Sequence, residues 1–595
     1  MLLQALIHYY DVLAASGKVP PFDATSAPVG FALDLNSDGT VKRIVSLYET
    51  AENGKSIPKT VDAPLYTKRS GTASDGYFLN DNTTHMFGCK YKKIGGKSER
   101  VLTKECFAKF TDLHHKVLDG CHGVKAKSVL KFVDSITPGE YPQIIDENLE
   151  MLSRKKAQPR IMLRDENGDD LFKDPEIRDA WDAYLEAEQT DPNVRKMIDL
   201  VDGKKTPVQM LHGSVKGIGN SANGVTLVSY NSAAFESYGL KRGEISPMSA
   251  KNEQKYVAAL NYLFAKPDYV SRIGTAGQIP SLYVTYWAEN GSNVYQDIFA
   301  DEYDGRHNLD RDDLRMIVRQ IIAGTVVSCN GNTIRPDEKF YILGISANRA
   351  RLVVRFFYQS AFGDVLQNVY QHQKRLEIEG AKDGNIISTY RILSETVHQE
   401  KGKPLKTNPN PVIAAGLYKA IMQNTYYPEA IYSQMMARIK VENSISYSRA
   451  EILKAYLIKN GTRVPKEVLT VSVSKESSYT PYVLGRVFAV LEKIQKDVSP
   501  SITSTIKDKY IARAASDPVV VFPRLLQLSQ THQRKLSTAG KVYYSNMLDD
   551  LMTKLPENFP KHLTLEEQGA FYLGYYHENQ ELYKKKNAED TEEDK

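Results

Sequence analysis

A chain of 595 residues is too long for one small module and matches about three to five domains. Its 42% apolar and 25% charged residues are ordinary globular usage, which excludes a largely disordered or fibrous chain. Lys and Arg number 77 against 72 Asp and Glu, so the net charge of +5 is slight and any pull on nucleic acid or membrane must come from local clustering.

Met1 to Asp11 lacks the basic opening of a signal peptide, and Gln4, His8 and Asp11 interrupt its apolar run. Leu2, Leu6, Tyr9 or Tyr10, and Leu13 recur at helical spacing, and Gly17 with Pro20-Pro21 ends the helix. Phe31, Leu33 and Leu35 then alternate, Asn36 to Gly39 turn, and Thr40 to Val45 return, which predicts a β-hairpin. From Val41 to Lys131 there are 17 Lys and Arg against 9 Asp and Glu, an excess of 8 that concentrates basic charge near the front. Residues 153–164 extend it. Short β-rich runs, Val225 to Tyr230 and Ser281 to Trp287 among them, mark a central segment. Beyond about 345 helical patterns dominate, as in Leu484, Val487, Phe488, Leu491 and Ile494.

The predicted fold class is α+β, with mixed α/β N-terminal and central regions followed by a C-terminal helical bundle. The segments are an N-terminal α+β region (1–150), a central α+β region (151–340), a helical region (341–470), the bundle (471–583) and a disordered charged tail (584–595). Cys89, Cys106, Cys121 and Cys329 form no Cys-x-x-Cys pair and are too few to staple such a chain, which points to a reducing, cytoplasmic setting. No stretch reaches the roughly 18 to 20 apolar residues a membrane span needs, so no membrane is expected.

Several motifs nearly match. Asp34-x-Asn36-x-Asp38-Gly39 is half a calcium loop, but Val45 stands where a bidentate Glu belongs, and a hairpin turn is the preferred reading. Gly95-Gly-Lys-Ser98 lacks the first glycine of a P-loop, and Gly217-Ile-Gly219 precedes a strand-like run rather than a helix. Asn167-Gly-Asp-Asp170 could pair aspartates for metals, yet its residues suit the turn of a short hairpin between Ile161 to Leu163 and Leu171-Phe172. Cys106, His114, His115, Cys121 and His122 miss the spacings of a compact zinc site; the alternative is a helix with the histidines at its polar margin. No metal or other cofactor is expected.

Thr67 to Asn82 joins the cations Lys68 and Arg69 to Ser70, glycines and the amides Asn80 and Asn82. Such residues neutralise phosphates or read base edges, although a solvated loop has the same composition. Lys90, Lys92, Lys93, Lys97 and Arg100 follow and suit a sequence-independent phosphate contact. Lys216 and Asn220 lie in a second basic, glycine-rich loop. Arg524, Arg534 and Lys535 punctuate a helix whose apolar side includes Leu525, Leu528 and Leu536, a stripe that is either a wet face or a nucleic-acid contact.

A family resemblance rests on Met1-Leu-Leu-Gln-Ala-Leu6, Thr67-Lys-Arg-Ser70, Phe78-Leu-Asn-Asp-Asn82, Leu227-Val-Ser-Tyr-Asn231 with Phe235 and Ser237-Tyr-Gly239, and Trp287-Ala-Glu289. It continues through Leu343 to Arg351, Val354 to Tyr358, Tyr482 to Glu492, Phe522 to Leu526, Glu566 to Gly569 and Leu573 to His577. In that order, from the first residue to about 583, they resemble the large subunit of the type I-C CRISPR surveillance complex, or Cascade. The resemblance implies a non-catalytic, bacterial subunit at the 5′ end of a guide CRISPR RNA, assembled with backbone and 5′-end-binding Cascade subunits. It implies an N-terminal region, 1–150, that recognises the protospacer-adjacent motif on double-stranded target DNA and starts R-loop formation. It also implies a bundle that resembles the small subunit, supports the displaced single strand and is also made separately from an internal start. Recruitment of the helicase-nuclease is implied likewise. Lys68, Arg69, Ser70, Asn80 and Asn82 fall in the loop matching the DNA-facing region, with Tyr77 and Asn80 where the family pattern more often has Asn and Trp. The rival expectation is a metal-dependent nucleic-acid-processing enzyme using Asp169 and Asp170 or the Cys/His cluster.

Overall fold

The computed structural model describes residues 1–595 except 22–23, 51–53, 67–74, 95–96, 154–158, 190–194, 220–223, 231, 274–281, 307–308, 349–350, 381–385, 399–408 and 594–595. The protein is α+β and forms two compact bodies, one from Leu3–Gly213 with Ser229–Ala259, the other from Ser214–Val228 with the chain after Leu260.

In the first body, helix Leu2–Ala15 buries Leu6, Tyr9, Tyr10 and Leu13 on one face, as the spacing predicts. The sheet that follows uses strands β1 (Ala24–Leu35), β2 (Val41–Ser46), β3 (Tyr48–Thr50), β4 (Ser56–Pro64) and β5 (Asn80–Asp81). A separate hairpin, β6 (Cys89–Ile94) and β7 (Lys97–Leu102), comes next, and β8 (Arg160–Arg164) returns to the sheet. The order is β3-β4-β1-β8-β5, with β2 also on β1; β1 and β8 run parallel, Phe31 beside Ile161 and Leu33 beside Leu163. The residues before and after position 150 therefore share one sheet. Phe31, Leu33, Ile161 and Leu163 meet Phe110, Phe132 and Trp181 from helices Lys104–Leu118, Val124–Ser135 and Pro175–Gln189. Each such buried side chain is worth about 1.5–3 kcal/mol, so this face holds the first body together. A short hairpin, β9 (Lys196–Ile198) with β10 (Lys205–Pro207), completes its strands.

The Asp34 to Val45 segment is the predicted hairpin: β1 and β2 pair antiparallel, the Asn36 N–H donates to the Thr40 carbonyl at 2.9 Å, and Gly39 takes a φ of +87°. Asp34 is fully buried and holds Arg43 and, at 2.8 Å, Arg164, so its charge is spent inside the protein. Asn167 to Asp170 is a turn with Gly168 at φ +88°. Its second arm is a 3-10 turn, Leu171–Lys173, capped by Asp170 accepting from the Phe172 N–H at 3.0 Å, and not the strand the sequence suggested. A cap satisfies the first amides at once, whereas a second strand would need a partner over its length.

In the second body β11 (Val270–Ile273), β12 (Leu282–Ala288), β15 (Lys339–Asn348) and β16 (Arg351–Ala361) form an antiparallel sheet, with β13 (Val327–Cys329) and β14 (Asn332–Ile334) as a side hairpin. Every residue of β12 is buried. The sheet reaches Ala361, so the position 340/341 read as a boundary falls within β15, and the long helices begin with Phe362–Leu376. Val225 to Tyr230 is not a strand: only isolated bridges form, Val225 to Val215 and Thr226 to Arg351. An apolar run without a neighbour along its length cannot satisfy its backbone as a sheet.

The helical part centres on Thr480–Val498, which packs along Leu565–Glu593 and buries Leu484, Val487, Phe488, Leu491 and Ile494 as their spacing predicts. The last helix carries its backbone to Glu593, through the charged stretch read as a disordered tail.

Candidate nucleic-acid interface

Lys68, Arg69 and Ser70 lie outside the described residues, but both ends of their loop are described. Tyr66 precedes it and Tyr77 follows it, and their ring centroids are 4.5 Å apart. The guanidinium carbon of Arg160, at the start of β8, sits 3.8 Å from the Tyr66 ring centroid and 4.5 Å from that of Tyr77. A cation over aromatic faces gains about 0.5–2 kcal/mol, so one arginine draws the two ends of the loop together. Arg160 also donates to Asn80 Oδ1 at 3.3 Å.

The turn from Tyr77 to Asn82 is held by Asp81, whose carboxylate accepts from the backbone N–H of Tyr77 and of Asn82, both at 2.8 Å. The Leu79 N–H donates to Nε2 of His114 at 3.0 Å, and Nδ1 of the same imidazole donates to the Phe110 carbonyl at 2.8 Å. Burial lowers the His114 pKa to about 4. His114 is thus a neutral core residue, not one at a polar margin, and it fastens this turn to helix Lys104–Leu118. Gly76 serves the same packing: a Cβ there would lie 2.6 Å from Phe110 Cα. Asn80 is buried, accepting from Arg160 and donating to the Phe78 carbonyl at 3.1 Å, so it shapes the base of the loop and is withdrawn from the surface. Asn82 is half-buried with Oδ1 3.2 Å from Nδ1 of His85.

The β6–β7 hairpin presents Lys92 exposed and Lys90 half-buried; the side chains of Lys93 and Lys97 lie outside the described residues. Arg100 sits between the rings of Tyr91 and Tyr141, at 5.9 and 5.6 Å, and pairs with Asp146 at 2.9 Å. The Tyr91 hydroxyl, with Asp146, holds its guanidinium still more firmly protonated. A phosphate reaching Arg100 has to compete with that carboxylate.

In the second body Lys216 is exposed, and its backbone N–H donates to Asn261 Oδ1 at 2.8 Å; Asn220 is outside the described residues. Arg524, Arg534 and Lys535 are exposed at and just beyond helix Pro518–Gln533, while Leu525 is buried and Leu528 and Leu536 pack on the core. Arg524 donates to Gln527 Oε1 at 2.8 Å.

Asp165 accepts the N–H groups of Asn167 and Asp169 and the Lys125 ammonium at 2.9 Å, and His115 lies between Asp119 and Asp134. Among the described residues no three His, Cys, Asp or Glu side chains gather as metal ligands. No described helix is long and apolar enough to cross a membrane.

The order of segments along the chain has a counterpart in one known family. A family described as CRISPR-associated protein (Cas_Csd1) matches residues 6–583. The chain belongs to that family. No individually curated protein matches it. For a CRISPR-associated protein the pinned basic loop is the feature to explain. Sequence reasoning found its cations but missed Arg160; the available signal was the pair of tyrosines, Tyr66 and Tyr77, bracketing a Gly- and Ser-rich loop.

Proposed function

We propose that this chain is the non-catalytic large subunit of a type I-C Cascade complex and that residues 67–74 form its contact with the protospacer-adjacent motif of duplex DNA. The observation carrying this reading is the Arg160 clasp, which fixes both ends of a loop containing Lys68, Arg69 and Ser70 in the part of the chain where basic charge is concentrated. A fixed base matters because a base contact requires the loop to meet the groove without a large ordering penalty. Base pairing with the guide RNA supplies most sequence information, so the protein need read only a few base pairs and hold backbone. Lys92 and Lys90, in the same body, add sequence-independent attraction. The exposed cations around helix Pro518–Gln533 suit support of the displaced strand, and recruitment of a helicase-nuclease follows from the same role.

The test uses the complex assembled with guide RNA. Lys68→Ala/Arg69→Ala lowers capture of duplex targets at least tenfold while guide assembly is unchanged, and the parent cleaves no DNA with magnesium or manganese alone. Capture equal to the parent removes this loop from the interface. Cleavage abolished by Asp169→Ala and Asp170→Ala replaces the reading with a metal-dependent nuclease.

A further inference from the structure

Within the second body a cavity of about 490 Å³ opens among helices Asn293–Asp304, Arg311–Ile322, Phe362–Leu376 and Tyr447–Asn460. Its mouth is basic. Arg311, Arg315 and Arg319 stand four residues apart along one helix, and helical geometry places such positions on one stripe. Lys374 faces them from the next helix, near enough to Arg319 for the two charges to repel. Arg315 pairs with the exposed Asp312 at 3.6 Å, and Lys374 with Glu377 at 2.8 Å. Glu302, on the wall, has its carboxyl pushed up to about 7 by burial, against the pull of Arg315, Arg311 and Lys374.

The interior is different in kind. Glu451 is 2% exposed; one carboxyl oxygen accepts from the Tyr447 hydroxyl, and the other has no partner among the described residues. Burial raises its carboxyl to about 8, so it carries a proton at neutral pH and can both donate and accept. The Nε2 of Gln373 is likewise buried and without a partner among the described residues. A buried polar group left unpaired costs about 1–3 kcal/mol, so a cavity with two of them is poised for a ligand that pairs with both. Tyr370 and Tyr447 supply flat aromatic walls, and Leu314 and Val318 an apolar one.

We propose that this cavity is a binding site for a free mononucleotide, with its phosphate against Arg311, Arg315, Arg319 and Lys374 and its base in the interior, hydrogen-bonded to Gln373 and Glu451. Bare phosphate would leave most of the volume and both interior groups unused, and a neutral nucleoside would leave the cations unused. An amide donor and a protonated carboxyl lining one cavity match the mixed donors and acceptors along a base edge. The site is separate from the DNA-facing loop, so its failure leaves that reading untouched.

The experiment is calorimetric titration of the full chain with AMP, GMP, CMP and UMP, and in parallel with adenosine and with inorganic phosphate. At least one mononucleotide binds saturably, about tenfold or more tighter than adenosine or phosphate. Arg315→Ala/Arg319→Ala, at exposed positions where folding is not at risk, weakens it at least tenfold, and Gln373→Leu weakens it at least fivefold with the thermal transition unchanged. Absence of binding by all four mononucleotides at millimolar concentration, affinity for phosphate or adenosine equal to that for the mononucleotide, or variants that bind like the parent would overturn the proposal.

Discussion

Glu253 lies under the Gly213 backbone, whose N–H donates to its Oε1 at 2.6 Å, near the half-buried His212, which is hydrogen-bonded to the buried Tyr256. Burial pushes its carboxyl up to about 7 from 4.5. Below about pH 4.5 the folded and unfolded forms are both protonated and no penalty arises; as pH rises toward 7 only the unfolded form ionises, and stability falls by about 3 kcal/mol before levelling off. His212 behaves in the opposite sense, its imidazole lowered to about 4 by burial, so it withdraws stability as pH falls from 6.5 toward 4. Glu253→Gln keeps an acceptor for Gly213 and removes the ionisation. Urea denaturation should show the variant gaining on the parent at pH 8 and matching it near pH 4.5; equal shifts at both pH values would show that Glu253 does not titrate this way. A paired charge gives a different result. Arg486 and Glu578 are both nearly inaccessible and meet at 2.7 Å. Arg486→Met leaves the carboxylate buried alone and should lower stability by about 3–5 kcal/mol, while Arg486→Met/Glu578→Leu should recover most of the loss. A double variant no more stable than the single one contradicts the pairing argument.

Two helices set the geometry of the C-terminal part through what they lack. A Cβ added at Gly574 would fall on the Tyr482 carbonyl oxygen, and one at Gly485 on that of Phe571, so Thr480–Val498 and Leu565–Glu593 touch backbone to backbone. In an isolated helix Gly→Ala gains about 1 kcal/mol. Here the obstruction is main chain and cannot swing aside, so Gly574→Ala should be net destabilising, by about 1–3 kcal/mol in thermal melts, with faster proteolysis of the helical segment. A rise in melting temperature would refute the close packing. The helical face carrying Leu484, Phe488 and Leu491 was legible from sequence because its 3.6-residue period is local. Glycine contacts were not legible, since the atoms they accommodate lie some ninety residues away. Separation in sequence likewise hid the pairing of β15 with β12 and the burial of Asn80, which follows from β8. The Asn36 to Gly39 and Asn167 to Asp170 turns were legible because turn chemistry is local too.

Charge is distributed unevenly over the chain, and part of the frontal excess is already paired within the protein. Arg43 is committed to Asp34, Arg100 to Asp146 and Lys125 to Asp165. Lys92, Lys104, Lys109, Lys116, Lys127 and Lys131 stay exposed, and Lys68 and Arg69 lie outside the described residues. Each phosphate such a surface neutralises should contribute about 0.9 to the slope of log affinity against log salt. The loop pair, if both contact phosphate, should account for about 2 of that slope, and Arg100→Ala for well under 1, since Asp146 already offsets its charge. Duplex affinities of the guide-loaded complex, measured from about 50 to 200 mM salt, separate these contributions. Lys68→Ala/Arg69→Ala with the parent's slope, or Arg100→Ala with a loss as large as the loop pair's, would mean that the phosphates are held elsewhere and that the Arg160 clasp braces a loop with another purpose.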